Sequence, residues 1–98
     1  MATLSKEMTG LNNAIYISPK CPKHRPRIKV FKESPGSESV SVLIEPPHGI
    51  SAGRKGLISE RNLFLVRKWI DLNYDVLMDY WNGVIVYTNE LLSKLKSI

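Results

Sequence analysis

Arg27-Ile28-Lys29-Val30-Phe31-Lys32, Glu33-Ser34-Pro35-Gly36-Ser37 and Glu38-Ser39-Val40-Ser41-Val42-Leu43-Ile44-Glu45 follow one another without a break, and this stretch decides the fold. Successive side chains of a strand point to opposite faces. In the first run that rule sets Ile28 and Val30 against Arg27, Lys29 and Phe31. In the second it sets Val40, Val42 and Ile44 against Ser39, Ser41, Leu43 and Glu45. Between them, Pro35 followed by Gly36 is the order that a type II turn favours. Two alternating runs joined by such a loop predict an antiparallel hairpin over residues 26–32 and 38–45, with Val30 and Val42 buried. The register is decided by the same pattern, because a slip of one residue would bury Arg27 and Lys29 instead.

Upstream, Ala14-Ile15-Tyr16-Ile17 is a short strand candidate. Residues 18–26 hold three prolines and read as an extended connector. Residues 1–13 show no period and are expected to form an arm. Downstream, Pro46 and Pro47 end the second strand, since proline cannot donate to a ladder, and residues up to Gly56 read as a loop. Ser59 then stands as a helix N-cap, with Glu60 in the first turn. Leu63, Val66, Ile70, Leu77 and Trp81 recur at helical spacing, and Phe64, Trp69, Met78 and Tyr80 widen the stripe. Asn73 falls inside it, so the run is either one bent helix or two helices meeting near Leu72-Asn73. Glycine at Gly83 closes it. Val84–Tyr87 reads as a small strand or a buried linker, and Thr88 as the cap of a last helix carrying Leu91, Leu92 and Leu95, with Lys94 and Lys96 near its end.

The order predicts an α+β domain in which a small antiparallel sheet of two to three strands, from the N-terminal half, is packed on one face by C-terminal helices. A single domain, 1–98, is expected, with a core over 26–82 and a helical extension over 83–98. Composition agrees with a globular chain: 98 residues, 43% hydrophobic and 23% charged. No apolar run reaches the roughly 20 residues of a membrane helix. The first ten residues lack the apolar core of a signal peptide. The lone Cys21 predicts no disulfide within the chain and a reducing, cytoplasmic setting.

The net charge of +5 is concentrated. Between Met8 and Lys32 lie six basic residues (Lys20, Lys23, Arg25, Arg27, Lys29, Lys32) and no acidic one, whereas the rest carries eight basic and nine acidic residues. Such a stripe is either a solvated surface or a footprint for a polyanion. On the second reading Lys23, Arg25, Arg27 and Lys29 meet phosphate, and Phe31 stacks on a base from the same strand face, with Tyr16 as a neighbouring aromatic. Arg54 and Lys55, in a loop with Gly49, Gly53 and Gly56, would support them. That spacing matches no phosphate-loop fingerprint. His24 and His48 read as loop histidines, His48 exposed, with no converging groups beside either. Asp71, Asp75 and Asp79 recur at i, i+4, i+8, as a solvated helix side or a partner surface, with Arg67 and Lys68 placed to pair with them. No catalytic residue, metal site or cofactor is predicted.

Three stretches carry a resemblance. Pro26-Arg27-Ile28-Lys29-Val30, the helix segment Val66–Asn73 with Trp69-Ile70, and Val76-Leu77-Met78-Asp79-Tyr80-Trp81 resemble a domain-of-unknown-function family of small bacterial proteins, over about residues 26–82. The family's strand carries a pair of histidines between a proline and a valine, and its helix ends in apolar residues before a tryptophan. Where it has two histidines this chain has Arg27 and Lys29, which bind anions rather than metals or shuttled protons. Its members are often encoded in toxin–antitoxin-like gene pairs, so the resemblance implies a second small protein as partner. The expected function is a non-enzymatic module binding nucleic acid or an acidic protein through the basic hairpin face, with no membrane partner. A small toxin-type endoribonuclease using His24 or His48, and a structural or assembly protein, are the alternatives.

Overall fold

A computed structural model of the chain describes residues 2–18, 25–33 and 35–98. Five strands run in chain order across one antiparallel sheet: β1 (Ala2–Leu4), β2 (Ile15–Ile17), β3 (Arg27–Phe31), β4 (Ser39–Leu43) and β5 (Ile50–Ala52). A short helix α1 (Lys6–Thr9) joins β1 to β2, and α2 (Glu60–Leu72), α3 (Tyr74–Trp81) and α4 (Thr88–Lys94) follow the sheet. The class is α+β, with more strands than the two to three expected.

The hairpin has the register that alternation requires. Ile28 lies opposite Val42 and Val30 opposite Val40, and all four are buried. Gly36 in the connecting turn has φ 94°, the left-handed value that a type II turn needs at its third residue. Behind this face α2 and α3 contribute Leu63, Val66, Trp69, Ile70 and Leu77 to one continuous core. Ser59 caps α2 as expected, its hydroxyl accepting the Asn62 N–H at 3.2 Å. The two helices meet at Asn73, so the run is two helices rather than one.

Several expectations are corrected by packing. Within the expected arm, residues 1–13, the described part from residue 2 onward is packed: Leu4 of β1 and the following Leu11 are buried in the core. The loop after Glu45 includes β5, a three-residue strand on the far edge. Residues 83–98 are part of the body, since Ile85 and Leu91 are core residues and the Ile98 N–H donates to the Thr9 carbonyl at 2.8 Å. Val84–Tyr87 is a linker in which Ile85 alone is buried. Thr88 begins α4 instead of capping it; Tyr87 takes the N-cap place without a side-chain bond. Lys96 lies beyond the last helical residue. Phe64 leaves the apolar stripe and is 62% exposed, because α2 turns that side to solvent.

Candidate nucleic-acid interface

The sheet face opposite the helices is built by the residues that alternation turns away from the core. Across its centre the pairing aligns Thr3, Tyr16, Lys29, Ser41 and Ala52, one from each strand. Lys29 is exposed, and its Nζ stands 5.8 Å from the Tyr16 ring centroid, within cation–π reach. One pair towards the β3 start, Arg27 lies opposite Leu43, and its Nη1 donates to Ser41 Oγ at 3.2 Å. At the other end Phe31 lies opposite Ser39. Both Arg27 and Phe31 are half-buried, which restrains their rotamers while leaving part of each accessible. Among the described residues no strand position on this face carries a carboxylate.

The remaining sequence candidates divide. Lys23 lies outside the described residues, as do Cys21 and His24. Arg25 makes an ion pair with Glu45 at 3.0 Å. Arg54 makes two bonds to Glu38, Nε to Oε2 at 3.1 Å and Nη2 to Oε1 at 3.2 Å. These pairs sit just beyond opposite ends of the β3–β4 ladder, so each adds little net charge to the face. Lys55 lines a different groove, beside β5 and α2. The structure therefore brings Arg27, Lys29 and Phe31 together with Tyr16, and leaves Lys55 apart. Thr3 was hidden from sequence reading, because Ala2-Thr3-Leu4 lacks the run of β-branched and aromatic residues that marks the equally short β2. A groove of ≈ 450 Å³ lies between Thr3, Glu7, Met8, Ala14, Lys32 and Glu33, with two carboxylates in its lining.

His48 is not an exposed loop histidine. It is 3% exposed, with Nδ1 at 3.2 Å from the Leu43 carbonyl and Nε2 at 2.6 Å from Asp71 Oδ1. Its backbone takes φ 61°, and its carbonyl accepts the Arg67 Nε–H at 3.1 Å. Arg67 and Asp71 are one turn apart on α2, so together they clamp the β4–β5 connection onto the helix. Both ring nitrogens are engaged, which makes this histidine a structural tie. The acidic stripe is broken at the same place. Asp71 serves His48 from the end of α2, while Asp75 and Asp79 belong to α3 beyond the Asn73 break. Arg67 and Lys68 do not pair with them: Lys68 Nζ lies 6.0 Å from the Phe64 ring centroid.

Comparison with protein-family models, with curated proteins and with solved structures finds no match for the chain. Among the described residues no helix is long and apolar enough to cross a membrane.

Proposed function

We propose that the protein is a non-enzymatic binding module that takes single-stranded nucleic acid on the outward face of β2, β3 and β4. One observation carries this reading: Tyr16, Arg27, Lys29 and Phe31 share a sheet face whose described strand positions hold no carboxylate. Cations aligned along such a face neutralise phosphates and release condensed counterions. Aromatic rings beside them stack on bases, which a duplex keeps inside its own stack. Stacking on a base is worth about 1–3 kcal/mol, so two rings supplement the charge substantially. The resemblance to a paired-gene family adds a second small protein as a proposed partner.

The test is to incubate the purified chain with a labelled, unstructured RNA and with a duplex of the same sequence. A mobility shift of intact single strand, stronger than that of the duplex, is expected. Cleavage of the RNA would support the endoribonuclease alternative, and no shift at low salt would remove the nucleic-acid reading.

A further inference from the structure

The groove beside Lys55 belongs to a different part of the molecule. It has a volume of ≈ 410 Å³ and runs between the sheet edge and α2, lined by Ile50, Gly53, Lys55, Glu60, Leu63 and Arg67. β5 is an end strand of the sheet, and among the described residues no strand pairs with its outer side. An end strand presents unpaired N–H and C=O groups, which proteins guard with charges, proline, bulges or short length. Ile50, Ser51 and Ala52 carry no charge or proline, and the guard here is brevity and a register shift, which leave the Ile50 edge open. Towards β4, the Gly49 carbonyl accepts the Leu43 N–H and Ala52 faces Ser41, with a register shift between. Alternation along an antiparallel ladder then turns the backbone groups of Ile50 outward, to the groove side.

We propose that this groove binds an extended acidic segment of a second protein, added as a sixth strand along β5. The far wall suits a strand. Glu60, Leu63 and Arg67 recur along α2 at spacings of three and four, so they line one side of the helix. Gly53 fixes the near wall against the sheet: a Cβ there would lie 2.8 Å from Val40 Cα and 2.9 Å from the Ser39 carbonyl, so the loop is pressed against β4. An added strand turns every second side chain inward, towards Ile50 and Leu63, where apolar groups fit. The alternate side chains meet the rim. Lys55 and Arg67 line the groove with Glu60, two cations to one carboxylate, which favours a partner carrying acid. Arg67 is held for the purpose, with one of its five N–H donors fixed on the His48 carbonyl. This site is independent of the basic sheet face.

A blocked Val-Asp-Val-Asp-Val-Asp peptide, titrated into the isotope-labelled whole chain, tests the proposal by amide chemical shifts. Saturable shifts are expected at Ile50, Ser51 and Ala52 and along Leu63–Arg67. Lys55→Glu should weaken binding several-fold, and N-methylation of alternate peptide amides should abolish it. Equal binding of the Val-Lys-Val-Lys-Val-Lys peptide, or shifts centred on Tyr16 and Lys29, would overturn the proposal. So would sedimentation showing that the chain pairs with a second copy through β5, since the edge would then already have its occupant.

Discussion

The side-chain amide of Asn73 sits in the core where α2 ends. Its Nδ2 donates to the Trp69 and Lys96 carbonyls, each at 3.0 Å, and its Oδ1 accepts the Lys96 N–H at 2.7 Å. One residue therefore ends a helix and binds both backbone groups of a residue 23 positions later. Asn73→Ala removes all three bonds and frees the Lys96 backbone groups, while the Trp69 carbonyl keeps the Asn73 N–H, so each lost bond costs about 0.5–1.5 kcal/mol. Asn73→Asp keeps the acceptor but sets a carboxylate against two carbonyls, and should destabilise at least as much. Denaturant midpoints of the two variants check this, and unchanged midpoints would show that the C-terminal segment is held by other contacts. His48 makes the same point about distance. Its tie to Asp71 spans 23 residues, so no local pattern announces that a histidine after two prolines is buried.

At the level of elements, the helical stripe is only partly core. Leu77 is fully buried between α3 and the sheet, whereas Phe64 at the same apparent period faces solvent. Leu77→Ala should cost about 2–5 kcal/mol, the range for emptying a packed site. Phe64→Ala should stay within about 0.5 kcal/mol, as exposed substitutions do. Thermal or denaturant unfolding separates them, and equal losses would mean that Phe64 is buried by an assembly. The β3–β4 hairpin was legible because five residues per strand display two full alternations and a turn residue marks their junction. β1 and β5 were not legible, since Ala2-Thr3-Leu4 and Ile50-Ser51-Ala52 lack the run of β-branched and aromatic residues that marks the equally short Ile15-Tyr16-Ile17, and β5 lies among glycines and prolines. The basic face could be read as far as Arg27, Lys29 and Phe31, which share a strand. The neutralisation of Arg25 by Glu45 and of Arg54 by Glu38 depends on sheet pairing, and local sequence does not contain it.

For the whole molecule, the fold separates two kinds of surface. The helices seal one side of the sheet, and Arg27 and Lys29 of β3 are displayed on the other. There Arg27 and Lys29 are the cations of the face, each flanked by an aromatic ring or a serine rather than by a carboxylate. The most direct measurement is the salt dependence of binding to a labelled single strand, for the unaltered chain and for two charge-reversal variants. The affinity should fall with salt at a log–log slope of about −0.7 for each phosphate neutralised. Arg27→Glu with Lys29→Glu should weaken binding and reduce the magnitude of that slope by roughly one to two units, while Lys94→Glu with Lys96→Glu leaves both nearly unchanged. Equal losses in the two variants would contradict the account, because the charge would then act without regard to the face that carries it.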